Sequence, residues 1–182
     1  KPSTEKRFYI LDLLQKKLLL STYVAHGRWS GDNYAVAFSN RPGSYQSSLG
    51  FFRTGDTYMG KNGYSLFLDG LEKGINDKAR ERAIVVHGAN YADPAVLKGQ
   101  QRLGRSLGCP ALPPDISKQV IDTIKGGVLL YIYGLNKAWG IFTLFRGRFR
   151  TRILTRRSGG SYLDRISDSF SKARGMLNNG KL

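Results

Sequence analysis

Largely apolar runs of five to seven residues recur along this chain, and most of them stop at a turn that carries glycine, proline or asparagine. Runs this short, with partial alternation and many β-branched or aromatic residues, predict strands rather than helices. The strands are expected at Phe8 to Leu13, Leu18 to Val24, Tyr34 to Ser39, Leu49 to Thr54, Tyr64 to Asp69, Ala83 to His87 and Val128 to Tyr133. The first two, separated by Leu14, Gln15, Lys16 and Lys17, read as a β-hairpin. Ser39-Asn40-Arg41-Pro42-Gly43 and Gly60-Lys61-Asn62-Gly63 read as turns. With 22 glycines spread along 182 residues, the chain is expected to be mainly β with short helices.

Two helices fit the remaining pattern. One covers about Asp77 to Arg82. The other opens after Pro113-Pro114 with Asp115 as N-cap, lays Ile116, Val120, Ile121 and Ile124 on one face against a sheet, and ends at Gly126. A 41% apolar share is enough for one packed core. Lys1 is not an initiator methionine, and no signal-peptide pattern or apolar run of roughly 18 residues appears, so a trimmed, soluble product is expected.

The charge is uneven. The chain carries +16, yet residues 1 to 135 hold 18 basic and 11 acidic groups while residues 136 to 182 hold 11 and 2. Residues 1–135 therefore read as the domain and 136–182 as a basic extension. Within it Arg146, Arg148, Arg150 and Arg152 alternate with Phe145, Gly147, Phe149 and Thr151, which places four arginines on one face of an extended strand. After Ser158-Gly159-Gly160, Ser161 and Asp164 have capping-box spacing ahead of a helical face made by Tyr162, Ile166, Phe170 and Ala173. Such a stripe is a solvated face, or it attracts anionic wall polymer, a membrane surface or nucleic acid. No nucleic-acid motif accompanies it, so no specific nucleic-acid partner is expected.

A single cysteine excludes a disulfide within the chain. Cys109 is then either an inert buried thiol or a working one. A thiol becomes a strong nucleophile when a nearby imidazole takes its proton, and His87, at the end of the apolar run Ile84-Val85-Val86, is on the rigid kind of element that can hold such a base. Gly108 removes side-chain bulk just before the thiol. A substrate carbonyl could then approach the N–H groups of Gly108 and Cys109, a candidate oxyanion hole, whereas Pro110 has no N–H to offer. A third donor must come from elsewhere, for which a tyrosine hydroxyl is suited. His26, His87 and Cys109 could also be written as three zinc ligands, but their spacing matches no zinc signature.

His87 precedes Cys109 by 22 residues, the reverse of papain-like order. That order, with Ser106-Leu107-Gly108-Cys109-Pro110, resembles the YkuD-like L,D-transpeptidase catalytic domain in its S-x-G-C-P branch. Phe38 to Gly50, Leu68-Asp69-Gly70-Leu71 and Asn76-Asp77-Lys78-Ala79-Arg80 are similar to the same branch. The resemblance covers roughly residues 1 to 134. It implies a β-sandwich-type catalytic fold, peptidoglycan stem peptides as substrate, a bacterial envelope location, and a thioester mechanism that needs neither metal nor cofactor. In that mechanism the cysteine attacks the carbonyl preceding a terminal D-alanine and passes the acyl group to an amine or to water. Carried over, Cys109 is the nucleophile, His87 the general base, the Gly88 carbonyl the group that orients His87, and the Gly108 N–H an oxyanion donor.

Two departures follow. Leu107 stands where the commoner signature has a histidine. Ala111 stands where an arginine often meets the substrate carboxylate, so Arg105 or another basic residue must take that contact. Ser106 and Arg105 are the expected substrate-binding residues, with His26 as a residue bordering the cleft or, alternatively, a structural one. The competing function is a catalytically inactive domain that binds anionic wall polymer or nucleic acid through its basic tail.

Overall fold

Alternation becomes pairing at the start of the chain. The computed structural model describes residues 1–135 and 139–146. Phe8–Asp12 (β1) and Lys17–Thr22 (β2) form the expected antiparallel hairpin. Phe8 and Ile10 are fully buried while Tyr9 between them is half-buried, the period of two that one covered face requires. A second hairpin joins Gly50–Gly60 (β3) to Gly63–Gly70 (β4), and Gly63 takes the left-handed φ of 73° that its turn needs.

Val85–Gly88 (β5), Ala111–Leu112 (β6), Leu129–Leu135 (β7) and Trp139–Arg146 (β8) complete one mixed sheet in the order β2-β1-β8-β7-β3-β4-β5-β6. β8 runs parallel to β1 and antiparallel to β7, so the sheet continues past residue 135. Beyond β2 the chain bridges to β6: the Ala25 N–H donates to Ala111 O at 2.8 Å and the Ala111 N–H to Ala25 O at 3.2 Å. Opposite margins of the sheet are thus tied together, and the sheet curls around its core. The chain is mainly β, as the sequence led one to expect.

Pro114–Ile124 (α1) lies against this sheet and buries Val120, Ile121 and Ile124 with Phe52, Leu66, Leu68, Val86 and Leu112. Each such fully buried side chain contributes roughly 1.5–3 kcal/mol. Thr54 on β3 ends the helix: its hydroxyl donates to Ile124 O at 2.6 Å and accepts from the Val128 N–H at 2.8 Å.

Three expectations are corrected. Tyr34 to Ser39 is not a strand, because Val36 and Ala37 both donate to Ser30 O, at 2.7 and 2.9 Å, and Val36 stays exposed. The segment from Asp77 to Arg82 is a chain of turns rather than a helix. Its approach is bent by Ile75, Asn76 and Asp77, whose N–H groups converge on Glu72 O. Asp115 lies inside the first turn of α1, and the N-cap is Pro113, which offers no side-chain hydrogen bond. The arginine alternation beyond Arg146 and the helix expected after Ser161 lie outside the described residues. Among those described, no helix is long and apolar enough to cross a membrane.

Candidate active site

His87 sits in β5, paired with Ser65 of β4 on one side and Ala111 of β6 on the other. Strands on both sides fix its backbone. Its Nδ1 lies 2.9 Å from Gly88 O, which places the proton on Nδ1 and leaves the lone pair on Nε2. The ring is buried, and burial lowers its pKa; the hydrogen bond to Gly88 opposes this in part. The resting imidazole is therefore neutral.

Cys109 arrives on the loop that leads into β6, two residues before the partner of His87. Gly108 has a φ of 125°, and a Cβ there would lie 2.9 Å from Gln46 O and 3.1 Å from Ile84 Cδ1, so glycine is required on both counts. The loop is held from within by Ser106. Its hydroxyl accepts from the Gly108 N–H at 3.1 Å and donates to Cys109 O at 2.6 Å. It is held from outside by Ser47, whose hydroxyl donates to Gly108 O at 3.1 Å and accepts from the Gly27 N–H at 3.1 Å. The half-buried thiol points at Ala83 O, 3.6 Å away. Burial pushes the thiol pKa up, against smaller opposing effects from the Val85 backbone and the Arg82 charge. Both partners of the expected pair thus rest neutral, on adjacent segments, and among the described contacts no hydrogen bond joins sulfur to imidazole.

Ser106 is 4% exposed, and both its hydrogen bonds stay within the loop. Arg105 donates to Gly31 O at 3.1 Å and Arg28 O at 3.3 Å and pairs with Asp32 at 3.5 Å. His26 is 1% exposed, with Nδ1 accepting from Arg7 Nη2 at 2.7 Å and Nε2 facing Gly31 O at 3.4 Å. Its pKa falls to about 3, first through burial and then through the Arg7 charge. The three candidate zinc ligands do not converge, since no such group of three exists among the described residues.

Sequence reasoning passed over several neighbours. Tyr91 follows β5, and its hydroxyl pKa is pushed up to about 12 by burial and the Cys109 charge, while Arg28 pulls it down. Arg28, exposed, lies 6.0 Å from the Tyr45 ring, and its N–H donates to Ser106 O at 2.8 Å. Trp29, 64% exposed, flanks the same loop. Only Ser47 and Tyr45 carried a signal, through the segment Phe38 to Gly50.

A family model described as the L,D-transpeptidase catalytic domain matches residues 1–133. An L,D-transpeptidase from Mycobacterium smegmatis is a similar solved structure, 12% identical over 78% of this chain and 59% of that one, with a TM-score of 0.35. This chain therefore spans less than two thirds of that structure's length. No curated protein matches it.

Proposed function

This chain belongs to the L,D-transpeptidase catalytic-domain family, a family of peptidoglycan-modifying enzymes, and from that premise we propose that it cleaves and transfers stem peptides through a thioester on Cys109. The observation that carries the reading is the pairing of β5 with β6. It holds a neutral imidazole, with no hydrogen bond on Nε2 among the described residues, next to the strand into which the loop bearing the only thiol leads.

His87 Nε2 takes the Cys109 proton as the sulfur attacks the carbonyl preceding a terminal D-alanine. The tetrahedral oxyanion is met by the Cys109 N–H; the Gly108 N–H is engaged by Ser106 and becomes a second donor only if that bond yields. Collapse breaks the peptide bond, His87 returns its proton to the departing amine, and the acyl group stays on sulfur. An acceptor amine, or water, then attacks the thioester and restores the thiol. Ser106 keeps the turn in shape, and His26 shapes the loop from behind. Arg28 takes the substrate carboxylate, because Arg105 already shares its charge with Asp32. The substrate places the domain in the bacterial envelope, and the basic extension, residues 136–182, attracts anionic wall polymer there.

Because burial lowers the imidazole and raises the thiol, the active neutral pair spans a wide pH plateau. The acid limb of acylation is expected below the ordinary imidazole range. The test is incubation with a stem tetrapeptide, following D-alanine release and the mass on Cys109. A thioester adduct that disappears in Cys109→Ala is expected; turnover unchanged by that substitution would refute the reading. A second reading, an inactive binding domain, is favoured by the thiol's contact with Ala83 O in place of His87. It predicts salt-sensitive binding to wall fragments, lost when residues 147–182 are removed and β8 is kept, and no adduct.

A further inference from the structure

We propose that Arg82 is a positioning residue for Cys109: it clamps the loop 39–48 over the Gly108 turn and supplies the positive charge that steadies the sulfur once its proton has left. The inference rests on the reading of Cys109 as nucleophile and adds the source of its electrostatic support.

Arg82 closes the turn segment before β5, and its guanidinium is half-buried. Nη1 donates to Ser39 O at 2.7 Å and to the Ser48 hydroxyl, and Nη2 donates to Gln46 O at 2.7 Å and to the Ser44 hydroxyl at 3.2 Å. Every one of these acceptors is neutral. Among the described residues no carboxylate forms an ion pair with Arg82, whereas Arg53, Arg80, Arg102 and Arg105 each have an aspartate. A partly desolvated cation without a counter-ion is costly, and such groups are ordinarily paired.

Its surroundings indicate where the missing anion arises. A Cβ on Gly108 would lie 3.4 Å from Arg82 Nη2, so the guanidinium borders the turn that carries the thiol. The next residue, Ala83, offers the carbonyl that the thiol faces, and it does so at a φ of 53°, a conformation that costs a non-glycine residue roughly 1 kcal/mol or more. One corner therefore supplies an acceptor for the protonated sulfur and a cation for the ionised one. The electrostatic coupling runs both ways, with Arg82 lowering the thiol pKa and the Cys109 charge raising that of Arg82. The other group electrostatically coupled to the thiol is Tyr91, whose hydroxyl stays protonated and adds no charge, and His87 on β5 is neutral at rest.

The experiment reads the thiol itself: the rate of Cys109 alkylation by iodoacetamide against pH, followed by mass, in wild type, Arg82→Gln and Arg82→Lys. An opposite charge at close range moves a titration by one or more pH units, so Arg82→Gln should alkylate roughly 10-fold more slowly near neutrality, with its curve displaced to higher pH. Arg82→Lys should keep the wild-type curve within about threefold, since the charge remains. A folded Arg82→Gln with the wild-type profile, or Arg82→Lys falling as far as Arg82→Gln, would overturn the proposal. Should Arg82→Gln not fold, wild type alone decides through its ratio of iodoacetate to iodoacetamide rates. In about 0.5 M salt, where surface charge is screened, that ratio should exceed the ratio of the denatured chain by about 10-fold. Equality of the two ratios would also overturn it. Alkylation needs no peptide substrate, so failure here leaves the thioester reading intact, and absence of a thioester leaves this measurement standing.

Discussion

Two corners of the molecule each hold a histidine, and they differ in what is left over. His26 has Arg7 on one ring nitrogen and the Gly31 carbonyl on the other. His87 spends one nitrogen on Gly88, and its second has no hydrogen bond among the described residues. The residue type is the same and both rings are buried, yet one ring is finished and the other has a lone pair to use. A histidine's capacity for chemistry is thus set by its hydrogen-bond ledger more than by its burial.

The sharpest way to break this contrast is to remove each ring in turn. His87→Ala should slow thioester formation by roughly 10³-fold while thermal unfolding changes little, measured as the rate of Cys109 acylation beside a melting curve. His26→Ala should do the opposite. It leaves the fully buried Arg7 guanidinium short of an acceptor and costs about 3 kcal/mol, seen as a lower denaturation midpoint. Equal losses of activity in the two variants at saturating substrate would erase the distinction.

Acid separates the two corners further. His26 has a folded pKa of about 3, well below its unfolded value, so the unfolded chain binds more protons between that value and about 3. Stability is therefore complete above the unfolded pKa and declines as pH falls through this window. At about pH 5 the loss should be about 2 kcal/mol, read from urea unfolding at several pH values. His26→Gln should flatten the dependence. The smallest effect is expected at Ala83, where Ala83→Gly relieves the left-handed φ at an entropic cost, for a net change within about 1 kcal/mol. A larger loss would mean that the alanine methyl itself supports the corner.

What the sequence showed and what it hid follow from the range of the interactions. The first hairpin was legible because Phe8, Ile10 and Leu20 carry the pattern locally, and α1 because Val120, Ile121 and Ile124 repeat at helical spacing. Tyr34 to Ser39 looked like a strand because local composition does not reveal that Ser30 O takes its N–H groups. The two-residue β6 is too short to leave a pattern, and β8 is a largely apolar run whose place in the sheet was masked by the arginine alternation that begins at its end. Cys109 and His87 stood out through their spacing and neighbours. Ser106 stood out as part of the Ser106 to Pro110 string, but its hydroxyl partners, the Gly108 N–H and Cys109 O, appear only once the turn is folded. Arg82 left no trace, since its acceptors lie 34 to 43 residues earlier in the chain.

The latch between Ala25 and Ala111 has a mechanical meaning for the loop that bears Cys109. Because Ala111 also pairs with His87, a local opening that frees this latch pulls on His87 and Cys109 together. Chemistry and closure share one cooperative unit, and the amides of Ala25 and Ala111 should exchange with solvent at the same pace at which the domain loses its ability to acylate.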